Sequence, residues 1–170
     1  HYIAQKSGRP DDYSRAADKY REYLSRFPFA DDYYEMEWYL ADALFYSNRM
    51  KEAEREYLQL LKGPNHPYRD GATYRLMKVR RQLLVDRYGK VEVVPPDAIV
   101  ERVVTSPFGG EVKVYMLTDE HKAFIEACDQ VVTGEFSSPE FAEARKRDLP
   151  ALTYIPAQIL FEFGHYDEAR

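Results

Sequence analysis

The sequence predicts a mainly α fold, an array of antiparallel helical hairpins interrupted once by a small β-hairpin. Three observations carry this. First, residues 32–61 hold two amphipathic helical patterns around the hydrophilic break Ser47-Asn48-Arg49. Leu40, Ala41, Leu44 and Phe45 recur at helical spacing in one, and Ala53, Tyr57, Leu60 and Leu61 in the other. Second, related patterns recur before and after this stretch. Third, within residues 91–118 the apolar period falls to two.

The central hairpin sets the terms. Asp32, with Glu35 three residues on, predicts a capping box for its first helix. Ala41 and Ala53 are small where two helices must approach closely. Such a hairpin cannot bury its apolar faces alone, so it is expected to stack on similar units.

Residues 1–12 are polar, contain Gly8 and Pro10, and read as a frayed lead-in or the tail of an earlier repeat. Tyr13 to Phe27 reads as a helix with Ala16, Tyr20, Tyr23 and Leu24 on one face, ended by Pro28. After the central hairpin, Gly63 to Pro67 is a turn and Tyr68 to Tyr88 a long helix. Pro95-Pro96 then stops any helix. Ile99–Thr105 and Glu111–Leu117 are β-branched runs joined by Ser106-Pro107-Phe108-Gly109-Gly110, a predicted β-hairpin. Val112, Val114 and Met116 share one of its faces. Two strands are marginal alone, so the hairpin must lean on the helices, which are expected to cover its faces and leave an edge open. Helix returns from Thr118 or Asp119 to about Val132, with Phe124, Cys128 and Val131 or Val132 on one face. Ser138-Pro139-Glu140 opens a short helix to about Arg147. In the last stretch, Pro156 is expected to kink a restarted helix.

These patterns share a register. Ala16, Tyr20 and Tyr23 correspond to Ala53, Tyr57 and Leu60. Tyr74 and Leu76 follow Trp38 and Leu40. Tyr154, Ala157, Leu160, Gly164 and Ala169 stand where Trp38, Ala41, Leu44, Asn48 and Ala53 do. On those residues the chain resembles tetratricopeptide repeats. The Tyr-rich second helices, one ending in Phe27-Pro28, look most like bacterial outer-membrane assembly lipoproteins of the BamD type and periplasmic envelope repeat proteins. The resemblance implies an α-solenoid, here one domain over residues 1–170 with an insert at about 91–118, cut from a longer chain. It also implies a noncatalytic scaffold or adaptor of a multiprotein assembly. A periplasmic or outer-membrane-associated location is favoured, with the cytoplasm as the alternative.

In such repeats, positions of the first helix line a concave groove that holds extended protein segments. By register these are Glu35, Trp38, Asp42 and Phe45, then Tyr74, Lys78 and Arg81, then Tyr154, Gln158 and Phe161. Trp38, Tyr74 and Tyr154 would form an aromatic ladder facing a bound peptide. The same rings would equally serve to pack helix against helix. Phe108, at the hairpin tip, is a candidate anchor for a partner strand, unless the hairpin only caps the stack.

Composition narrows the classes. The net charge of −5 argues against a general nucleic-acid binder, and the one cysteine excludes an internal disulfide framework or a multi-cysteine metal site. No apolar run approaches the ~20 residues of a membrane helix. Arg69, Arg75, Lys78, Arg80, Arg81, Arg87 and Lys90 make the third helix basic but lie all round it, as on a solvated face; an acidic partner is the other reading. Asp119, Glu120 and His121 are adjacent, so a helix points them apart; capping explains the acids. Cys128 reads as a small core residue. No cofactor is expected. The rival function is an enzyme, or an enzyme's accessory subunit, using the 91–121 region.

Overall fold

The structure, a computed structural model, describes residues 2–105 and 109–169. It is mainly helical, with one small antiparallel sheet. The elements are α1 (Tyr2–Ser7), α2 (Pro10–Arg26), α3 (Tyr33–Tyr46), α4 (Met50–Lys62), α5 (Arg69–Tyr88), β1 (Val100–Thr105), β2 (Glu111–Tyr115), α6 (Asp119–Thr133) and α7 (Pro139–Glu162). The chain divides into two compact units. The first comprises His1–Val79 and Phe136–Phe141, the second Arg80–Glu135 and Ala142–Arg170.

In the first unit α1 packs on α2, α2 on α3 and α3 on α4. The core residues expected of the central hairpin are all buried: Leu40, Ala41, Leu44, Ala53, Tyr57 and Leu60. Ala41 and Ala53 are fully covered, as close helix approach demands. Residues 2–7 are helical, as the tail of an earlier helix would be and a frayed lead-in would not. Pro10 presets φ at the start of α2, and Asp11 and Asp12 suit the positive end of its dipole. Hydrogen bonds from Ser7 and Arg15 hold Asp12 down to about 2.

The capping box is not formed. Asp32 has φ −92° and ψ 14°, not the extended backbone that aims a cap at the helix amides. Its carboxylate accepts from the Tyr23 hydroxyl at 2.9 Å instead, and Glu35 accepts from Tyr39 at 3.1 Å. The turn to α4 is fixed by Asn48, whose φ of 62° is left-handed. Arg49 N–H then reaches Leu44 O at 2.9 Å and Asn48 N–H reaches Phe45 O at 3.1 Å. Arg49 also fastens α4 to α2. It bonds Glu52 through two nitrogens and reaches Ser14 and Asp18. The Arg49 bonds hold Glu52 down to about 2.

The second unit contains the insert. Val104 faces Val112 and Val103 faces Lys113, but Val100 faces Tyr115 while Arg102 faces Val114. Glu101 is therefore an extra residue, a β-bulge. Of the predicted apolar face only Val114 is buried; Met116 is 44% exposed. Helices do more than cover a face. Tyr115 N–H donates to Phe163 O at 2.8 Å, and His165 Nε2 donates to Tyr115 O at 2.9 Å. The β2 side is thus closed at Tyr115 by the turn after α7. Among the described residues β1 pairs with β2 alone.

His121 ties the start of the insert down. It is fully buried, with Nε2 donating to Val91 O at 3.0 Å. Thr118 caps α6 by accepting from His121 N–H, and its hydroxyl lies 2.7 Å from His121 Nδ1. The ring packs against Tyr88 and Phe163. Phe124, Cys128 and Val131 are buried as expected.

Helix α7 departs from the expected break near Arg147. It continues through Pro150 and Pro156 to Glu162. Each proline removes one helical donor. Leu152, Pro156, Ile159 and Phe163 are nevertheless buried at helical spacing, which offsets that loss. The Thr153 hydroxyl donates to Leu149 O and Pro150 O. The turn after α7 repeats the turn after α3. Gly164 has φ 84°, its N–H reaches Phe161 O at 3.0 Å, and His165 N–H reaches Leu160 O at 2.8 Å.

Candidate functional site

The first unit holds a cleft of about 600 Å³ whose lining includes six aromatic rings among polar and charged groups. Trp38, Tyr39, Asp42 and Tyr46 come from α3, Tyr13 from α2, and Gly71 and Arg75 from α5. Tyr68 precedes α5, and Ser138, Glu140 and Phe141 close the far side. Asp70 holds that last segment: its Oδ2 accepts from the N–H groups of Ser137 and Ser138 at 2.7 Å and from the Ser137 hydroxyl at 3.0 Å.

The rings interlock. The Trp38 indole stacks on Tyr68 at 6.1 Å, meets Phe141 edge-on at 6.1 Å and leans on Tyr57 at 5.8 Å. Tyr13 stacks on Tyr46 at 5.0 Å. Gly71 is required beneath Trp38, because a Cβ there would lie 2.7 Å from the indole.

The floor is charged. Asp42 is 7% exposed and accepts from the Tyr57 hydroxyl at 3.3 Å. Arg75 brings its Nε within 3.3 Å of Asp42, an ion pair without hydrogen-bond alignment. Its guanidinium lies over Phe45 and Tyr46, 5.1 and 5.2 Å from the ring centres, and donates to the Tyr46 hydroxyl at 2.8 Å. Burial pushes the Asp42 carboxyl up; Arg75 and the Tyr57 hydroxyl pull it back, and Glu140 pushes it up again. Burial and the Asp42 charge push Tyr57 well above the usual phenol range. Elsewhere on α3, Glu37 is buried and pushed up to about 7, first by burial and then by the Glu56 charge.

Of the predicted groove residues, Trp38 and Asp42 line this cleft. Glu35 is occupied by Tyr39, and Phe45 lies under Arg75. Tyr74 is a core ring, 4% exposed, because Phe141 covers it at 5.8 Å; Lys78 lies 5.2 Å from its centre. Arg81, Tyr154, Gln158 and Phe161 belong to the second unit. There Tyr154 is 65% exposed, and Phe161 meets Tyr166 edge-on. The three rings of the expected ladder thus have three environments: half-buried, buried and exposed. Phe108 lies outside the described residues.

The sequence reading missed Tyr13, Tyr39, Tyr46, Tyr68, Arg75 and Phe141 as cleft residues. Tyrosine richness pointed to the aromatics in general, but nothing local marks Phe141, which arrives from far along the chain. The basic residues of α5 are also more engaged than a solvated face implies. Besides Arg75, Arg80 donates to Ala123 O, Arg69 to Leu61 O, and Arg87 pairs with Glu120.

The second unit has its own cleft of about 600 Å³, lined by Arg87, Tyr88, Ile99, Met116 and Glu120 among others. Asp119 and Glu120 both line it, but His121 does not join them. Glu120 pairs with Arg87 and His121 is sealed in the core. Among the described residues no group of three His, Cys, Asp or Glu side chains is placed to hold a metal ion. None of the described helices is long and apolar enough to cross a membrane. No protein-family profile, curated protein or solved structure matches the chain significantly.

Proposed function

We propose that this chain is a noncatalytic scaffold of the tetratricopeptide-repeat kind, holding protein segments within a multiprotein assembly. The observation that carries the reading is the cleft on α3, where Trp38 and Asp42 meet a wall of aromatic rings. Large rings beside a few charges suit recognition of a protein segment. The matching turns at Asn48 and Gly164 support a repeated helical hairpin. A bacterial envelope assembly is the setting the Tyr-rich helices suggest by resemblance.

The test is a site-specific photo-crosslinker at Tyr68, with a control at Lys51 on the exposed side of α4, in the native cell. A discrete adduct from position 68, absent from position 51 and lost in Trp38→Ala, is expected. Equal adducts from both positions, or none from either, would reject the cleft as a protein-binding surface.

A further inference from the structure

We infer that the cleft of the first unit takes a cationic side chain, lysine or arginine, from the protein segment it binds. This rests on the scaffold reading and names the chemistry of its partner. The charges decide it. Among the described residues, the lining carries two carboxylates, Asp42 and Glu140, against one guanidinium, Arg75. Arg75 is already matched to Asp42 at 3.3 Å. Glu140 is exposed at the rim, and its charge is felt by Asp42 in the same direction as burial, so the site is short of one positive charge.

Arg75 itself displays the chemistry. A guanidinium sits over Phe45 and Tyr46 with a carboxylate beside it. The cleft continues with further rings, and aromatic faces attract cations through their quadrupole. An anionic ligand is the competing case, since Arg75 Nε has no aligned acceptor. That nitrogen is fully covered, however, and a ligand meets the rim carboxylate first. A volume of about 600 Å³ has room for one long side chain and its flanking backbone. The chain's net charge of −5 favours the approach of such a segment.

Trp38 is the only tryptophan and lies in the cleft, so its fluorescence reports occupancy directly. The full chain is titrated with the N-acetyl methylamides of arginine, lysine, norleucine and glutamate. A saturable change with the two cationic probes, weakened about fivefold in Glu140→Gln and by raised salt, is expected. Near-UV circular dichroism checks that this exposed substitution leaves the fold intact. An equal response to norleucine would overturn the proposal by making the cleft merely apolar. Tighter binding of glutamate would overturn it in favour of an anion, and no saturable change with either cation would also end it. If the Tyr68 crosslink persists while the cations fail, the scaffold reading stands and only this inference falls.

Discussion

Gly71 lies directly against Trp38: a Cβ at position 71 would come within 2.7 Å of the indole and 2.9 Å of the Phe141 ring. A glycine in the first turn of α5 would ordinarily be improved by alanine. Here the ring stack forbids it. Gly71→Ala is expected to cost about 1–3 kcal/mol through overpacking and to shift the Trp38 emission. Chemical denaturation followed by fluorescence measures both. A stabilised variant with unaltered emission would mean that the rings do not close over this glycine.

Asn48 and Gly164 separate two causes of a glycine-like preference. Both have left-handed backbone, at φ 62° and 84°. Asn48→Gly is expected to change stability by only a few tenths of a kcal/mol, and Asn48→Val to cost about 1–2 kcal/mol. Gly164→Asn should cost more than Asn48→Val, although asparagine tolerates that backbone. A Cβ at 164 would lie 2.7 Å from Lys113 O, in the backbone of β2. Equal tolerance of asparagine at both positions in thermal unfolding would remove that contact from the argument.

The contrast explains what could be read from the sequence. The α3–α4 hairpin was legible because Leu40, Leu44, Tyr57 and Leu60 repeat at helical spacing and the break between them is local. The strands were legible because β-branched residues alternate around a glycine-containing turn. The capping box failed because Tyr23, on another helix, competes for Asp32. The break in α7 failed because local proline chemistry was outweighed by burial of Leu152, Pro156, Ile159 and Phe163. In the cleft, Trp38 and Asp42 are candidates that the repeat register names and that line the cleft. Arg75 and Phe141 depend on tertiary placement, which no local pattern encodes.

The two units should respond to pH with opposite signs. Glu37 is raised from the ordinary 4.5 to about 7, so the folded state holds its proton more tightly than the unfolded chain does. Its contribution is fully present below about pH 4.5 and is lost as pH rises toward 7. Solvent screening limits the effect to about 1–2 kcal/mol. His121 is lowered from 6.5, first by burial, although the bond to Val91 and the Glu120 charge act the other way. Its contribution is present above about pH 6.5 and is lost as pH falls through the lower folded value. Hydrogen exchange at α3 and α6 across pH 4–8 distinguishes the units. Glu37→Gln should flatten the α3 profile alone, and His121→Gln the α6 profile alone. A shared profile that neither substitution alters would refute the assignment.

The β-hairpin is tied to the second unit, and this changes what its removal should do. An element that only lay on the helices would come away with little loss. Here Tyr115 exchanges hydrogen bonds with Phe163 and His165, Val114 is fully buried, and Gly164 abuts Lys113. The strand edge and the turn after α7 therefore satisfy each other's backbone groups. Stripping one removes these bonds from the other, a loss of about 0.5–1.5 kcal/mol per bond. Replacing Ala98–Leu117 by a short Gly/Ser linker is accordingly expected to loosen α7 near Phe163 and raise exchange in α6, while α2–α4 keep their protection. Val114→Ala should produce a milder form of the same pattern, at about 2 kcal/mol. The outer side of β1, with Val100 and Val103 exposed, is different. Val103→Lys there should leave stability within about 0.5 kcal/mol. If Val103→Lys proves as costly as Val114→Ala, the assignment of a buried and an exposed side to this hairpin is wrong.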